Sequence, residues 1–178
     1  MKSKLLSCAV LLLASVVAWA HGPTPQKIDE SVVIARAPAE VWAAISAFDA
    51  PNAWNPFFKE VQATGGNEVG KAERELTLAN GGKIKESLDE YDAARRYMGY
   101  RLLKENVAAF PVSFYTITIE VKEADGGSKV EWLGRFYRAD TGNFPPENLN
   151  DEAAVAAMAQ MARSGLDHLK QQLEGGAQ

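Results

Sequence analysis

Cysteine and histidine are almost missing from this sequence. Cys8 is the one cysteine, and His21 and His168 are the two histidines. A lone cysteine excludes an intramolecular disulfide and every CxxC zinc or redox motif. Positive charge is also in deficit: 19 Lys and Arg stand against 23 Asp and Glu, a formal net charge of −4. That balance argues against a general nucleic-acid binder, which needs a basic surface to hold phosphates. Beyond the amino terminus there is no apolar run of membrane-spanning length. With 24% charged and 47% apolar residues in 178, the chain has the composition of one folded domain, not of a disordered polyelectrolyte.

The one hydrophobic run that is present lies at the start. Lys2 and Lys4 precede an uncharged apolar stretch over residues 5–18, and Ala18-Trp19-Ala20 supplies a small-x-small cleavage pattern. This reads as a secretory signal peptide, residues 1–20, cut after Ala20. A transmembrane anchor is the alternative, but the run is short for ~30 Å of hydrocarbon and polar HGPTPQ follows at once. Cys8 sits inside the run, where a lipoprotein cysteine does not. Cleavage removes two lysines, no acid and Cys8. The product is then expected to have 158 residues, a net charge of −6 and no cysteine. It should be a periplasmic protein without a membrane segment, held together by its core alone.

Residues 21–28 contain two prolines and no periodicity, and read as an arm. Residues 30–36 (ESVVIAR) read as a first strand. Pro38 then suits the first turn of a helix, and Val41, Ile45 and Phe48 mark one face of a helix over 39–48. A turn-rich link, DAPNAWNP, follows. Period-two patterning then predicts strands over 58–64, 72–79, 83–92, 96–104, 112–122 and 129–138. Gly-Gly-Asn, Asn-Gly-Gly and Asp-Gly-Gly punctuate three of the junctions, so the strands should pair antiparallel as a meander. Asn150 is a good N-cap for a last helix reaching about Leu173. Its stripe is Val155, Met158, Ala162, Leu166, Leu169 and Leu173. The predicted class is α+β: a seven-stranded antiparallel curved sheet wrapped around a long C-terminal helix, with short helical structure after strand one. A cavity should lie between helix and sheet.

This order, with APAEVW opening the first helix, WNPF soon after and VEWLGRF in the last strand, resembles the START/Bet v 1-like (SRPBCC) superfamily. That resemblance implies a helix-grip domain over 29–174, followed by a tail, 175–178. Three further stretches, AHGPTPQKIDES, KENVAAFPVSFY and EWLGRFYRADTGNFPPENLNDEAAV, are similar to the MxaD family of bacterial methanol oxidation. The family implies a periplasmic accessory protein that assists methanol dehydrogenase, in its interaction with its cytochrome c acceptor. It brings no catalytic residues, and no cofactor is expected.

The residues themselves offer little catalytic inventory. His168 falls well off the apolar stripe of the last helix and reads as solvent-facing. His21, as a mature terminus, would offer an amine and an imidazole to copper, but such a site needs another histidine; a plain arm is the simpler reading and no metal site is assigned. The expected small-molecule site is the cavity. Inward alternation assigns Met98, Tyr100, Leu102, Tyr115, Ile117, Ile119, Val121, Val130, Trp132, Gly134, Phe136 and Arg138 to it. Val155, Met158, Ala162 and Leu166 face them from the helix. The same residues would also serve as a solid core. Arg74 and Glu86 fall inward on adjacent strands and should pair. They would be either a polar anchor for a small apolar ligand's head group or a pair at the sheet rim with its heads in water. Trp54, Phe57, Phe58 and Phe144, on proline-flanked loops, are the expected partner surface. Folding back over the cavity mouth is the alternative for Trp54 and Phe144.

Overall fold

The computed structural model describes residues 22–175. The expected leader, its cleavage site and the copper alternative at His21 lie outside the described residues. The elements are β1 (Gln26–Ile34), α1 (Pro38–Ile45), β2 (Phe58–Thr64), β3 (Glu73–Leu78), β4 (Lys83–Asp92), β5 (Tyr97–Lys104), β6 (Val112–Ala124), β7 (Gly127–Arg138) and α2 (Asp151–Gly175). Short 3-10 turns at Pro51–Ala53 and Glu147–Leu149 precede β2 and α2. The sheet order is β1-β7-β6-β5-β4-β3-β2, antiparallel throughout. β2 to β7 form the expected meander, and β1 joins it at the β7 edge.

Two boundaries differ from the sequence expectation by three residues or more. β1 begins at Gln26, inside the stretch read as an arm, because Gln26 pairs with Phe136 and Ile28 with Gly134. α1 ends at Ile45 rather than Phe48. Phe48 is buried all the same, since Asn67 holds the exit from the helix: its amide donates to the Ser46 carbonyl and its carbonyl accepts the Phe48 N–H.

One face of the sheet is closed by α2. Asn150 caps this helix through its side chain, which accepts the Ala153 N–H at 2.9 Å. Ala154, Met158, Met161, Ala162, Gly165, Leu166 and Leu169 are its buried residues. Val155, expected to face inward, is 37% exposed. The buried stripe runs through Ala154 and Met161, so Val155 falls at its outer margin. Gly134 on β7 faces the helix, where an added Cβ would stand 2.8 Å from Ile28 Cγ2 and 3.2 Å from Met158 Cε. No helix among the described residues is long and apolar enough to cross a membrane.

α2 also seals a sheet edge. β1 is an edge strand, and an edge carries unpaired carbonyls and amides. Arg163 donates to the Ser31 carbonyl, Lys170 to the Val33 carbonyl at 2.7 Å, and Glu174 accepts the Ala35 N–H at 2.8 Å. One helix thus covers both the sheet's inner face and its β1 edge.

Candidate functional site

Alternation along β3 to β7 points a layer of side chains at α2. Met98, Tyr100, Tyr115, Ile117, Trp132, Phe136, Met158 and Leu166 are all buried, none more than 6% exposed. Arg74 and Glu86 lie in the same layer, opposite each other on β3 and β4. The rim reading of this pair is overturned: Glu86 is 0% exposed and Arg74 3%. The reason is local. Phe48, having left α1, turns its carbonyl inward, where Arg74 Nη1 donates to it at 2.7 Å.

The rest of the cluster closes around that contact. Arg74 Nε donates to Glu86 Oε2 at 2.5 Å, and the Tyr115 hydroxyl donates to Glu86 Oε1. The Arg74 guanidinium lies 4.0 Å from the centre of the Phe48 ring and 4.7 Å from that of Tyr100. A charge this deep is tolerated only when paired and hydrogen-bonded, as this one is. The aromatic faces add a cation–π attraction.

Burial, reinforced by the charge of Glu86, pushes both phenols up from the ordinary value of 10.0; Tyr115 also spends its proton on Glu86. Neither is a phenolate base at neutral pH. A folded-state value above the unfolded one stabilises the fold below the unfolded value, and that stabilisation is lost as pH rises beyond it. Unfolding free energy is therefore expected to be flat through neutral pH and to fall above about pH 10. Tyr100→Phe and Tyr115→Phe should each weaken that alkaline decline in denaturant titrations. An unchanged profile in both would place the phenols in contact with water.

A cleft of about 310 Å³ opens at the mouth of the grip, between α2 and the β3–β4 and β5–β6 loops. Phe57, Leu78, Asn80, Phe110, Ala157 and Gln160 are among its walls. Phe110 separates the cleft from the polar cluster: its ring meets Phe57 at 5.9 Å on one side and Tyr115 at 6.3 Å on the other.

The expected partner surface divides. Trp54 and Phe58 are 5% and 6% exposed and Phe57 is half-buried, so this part of the surface is corrected. Trp54 folds back against α2 at Gly165, where a Cβ would meet its ring at 2.6 Å. The neighbouring Asn55 donates to the Met161 carbonyl at 3.1 Å and accepts the Phe57 N–H. Phe144 does the opposite and is 95% exposed. His168 is exposed. Among the described residues no group of three or more His, Cys, Asp or Glu is placed to hold a metal ion.

Sequence reasoning missed the role of Arg138. At the end of β7 it donates to the Asp140 carbonyl at 2.6 Å, the Gly142 carbonyl at 2.9 Å and Asp151 Oδ2 at 2.9 Å. It thereby ties the 139–150 loop to the strand on one side and the helix start on the other. Inward alternation marked its position, but nothing local announced that its partners would be loop carbonyls.

Residues 25–174 match the family model described as polyketide cyclase/dehydrase and lipid transport. Among solved structures, XoxI from Bacillus cereus is 27% identical with a TM-score of 0.71, over 85% of this chain and 98% of that one. The Zhui aromatase/cyclase from Streptomyces sp. R1128 shares 16% identity at a TM-score of 0.70, over 87% and 97% of the two chains. Ara h 8.0201 shares 17% at 0.64, over 85% and 99%. The last two likenesses establish the helix-grip fold alone. No curated protein matches the chain.

Proposed function

The chain belongs to the polyketide cyclase/dehydrase and lipid-transport family, and we propose that within it this is a periplasmic, non-catalytic accessory protein of methanol oxidation. It assists the interaction of methanol dehydrogenase with its cytochrome c acceptor. The observation that carries the non-catalytic part is the closed interior. Arg74, Glu86 and Tyr115 spend their hydrogen bonds on one another and on Phe48, and among the described residues no histidine or cysteine is buried in the inner layer. General acid–base or nucleophilic work needs a group free to exchange a proton with substrate. The setting in methanol oxidation rests on the three sequence stretches similar to the MxaD family, above all TGNFPPENLNDEAAV.

A second reading, a carrier or sensor of a small apolar molecule, is favoured by the cleft at the grip mouth. Its volume of about 310 Å³ lies at the small end of the range for ligand sites. One experiment separates the two. A clean deletion is expected to slow methanol-dependent electron transfer while leaving the amount of dehydrogenase protein unchanged. Normal electron transfer in the deletion strain would sink the accessory reading and leave the carrier.

A further inference from the structure

We infer that the loop of residues 139–150 is a protein-docking surface with Phe144 as its apolar anchor. Its partner is a protein presenting an apolar pocket rimmed by lysine or arginine. This deepens the accessory reading by naming the face that would do the docking.

Four observations converge. Phe144 stands 95% exposed, which for a large aromatic ring is a standing cost in water. The loop beneath it is held: Arg138 bonds two of its carbonyls and the first residue of α2, Asp140 Oδ1 accepts the Gly142 N–H, and Pro145 and Pro146 restrict the backbone just after the ring. An anchor on a fixed loop loses little conformational entropy on binding. Beside the ring lies an open cleft of about 390 Å³ bordered by Gly22, Thr24, Arg138 and Asn143, with room for a partner's side chain. Finally, the surroundings are acidic. Asp140, Glu147, Asp151 and Glu152 lie between Arg138 and Arg163 in the sequence with no lysine or arginine among them, and among the described residues only Asp151 of the four has an ion-pair partner, Arg138.

The charge chooses the occupant. A second copy would set acidic rim against acidic rim in an isologous pair, which repels. An anionic lipid surface would be repelled in the same way. A basic protein rim is attracted, and that attraction speeds encounter and fades with salt.

The test places a photo-crosslinking phenylalanine analogue at position 144 of the full chain in cells that make the protein, with exposed Val69 as the control position. The expected product is a crosslink at 144, not at 69, to a protein whose crosslinked peptides map beside Lys or Arg. With that partner purified, Phe144→Ala should weaken binding about tenfold, and raised salt should weaken it further. Phe144→Ala removes no core contact, so loss of folding does not confound the result. No crosslink above the control, a crosslink to lipid or to a second copy, or binding indifferent to both Phe144→Ala and salt each overturns the docking surface. A crosslink to a basic protein unrelated to methanol oxidation keeps the surface and removes the proposed function. A methanol oxidation partner captured without use of position 144 does the reverse.

Discussion

Replacing Arg74 with leucine is expected to lower the free energy of unfolding by about 3–5 kcal/mol, measured by denaturant titration. The substitution leaves the Glu86 carboxylate at 0% exposure with only the Tyr115 hydroxyl to answer it. It also removes the donor that satisfies the buried Phe48 carbonyl and the cation stacked on the Phe48 and Tyr100 rings. Glu86→Leu should cost a similar amount by stranding the guanidinium instead. The double variant should recover part of the loss, because replacing both members of a buried pair with apolar groups removes the desolvation penalty together with the attraction, while the Phe48 carbonyl and the Tyr115 hydroxyl stay without their partners. Single variants within about 1 kcal/mol of the parent would mean that water reaches the pair, against the burial seen here.

Gly165→Ala is expected to destabilise by about 2 kcal/mol, although alanine is ordinarily the better helix former by about 1 kcal/mol. The reversal has a local cause. The new Cβ would lie 2.6 Å from Trp54 Cζ3 and 2.7 Å from Asn55 Nδ2, so the 51–55 turn must back away from α2. That movement breaks the Asn55 bond to the Met161 carbonyl and uncovers Trp54, at an overpacking cost of about 1–3 kcal/mol. Gly165→Leu should do more damage, and Trp54→Ala combined with Gly165→Ala should cost less than the sum of the single changes. A thermal midpoint raised by Gly165→Ala would show that the turn is not fixed to the helix.

The parts of the molecule legible in the sequence are those where a period governs. From β3 to β7 the two-residue alternation placed Arg74, Glu86, Tyr100, Tyr115 and Trp132 inward, and their burial follows, because one buried face pins the phase of each strand. The stretch between α1 and β2 carries no period. Trp54 therefore read equally as a surface aromatic or as a ring folded back over the cavity mouth, because its direction is set by an absent side chain 111 positions away at Gly165. The depth of the Arg74–Glu86 pair was hidden for a related reason. It depends on where α1 stops and how Phe48 turns, and helix ends are the least determined feature of a periodic pattern. Val155 shows the limit within a regular element: a stripe read by apolarity alone drifted past the true face, because alanines and Gly165 carry much of the contact. Phe144 was legible as a candidate, but the loop's rigidity was not, since it comes from a strand-end arginine reaching carbonyls.

The sealing of the β1 edge by α2 has a consequence for the order in which the chain can fold. β1 is the first strand and pairs with β7, the last; its free edge is then covered by Arg163, Lys170 and Glu174 near the carboxyl end. A polypeptide delivered amino-terminus first, from a ribosome or through a translocation pore, exposes β1 long before either of its neighbours arrives. The meander from β2 to β7 has local partners and can assemble as it appears, whereas docking of β1 must await almost the whole length. The β1 segment therefore stays without a partner until β7 emerges, and its outer edge stays open until α2 follows, so losing α2 would leave the earliest strand without its cover.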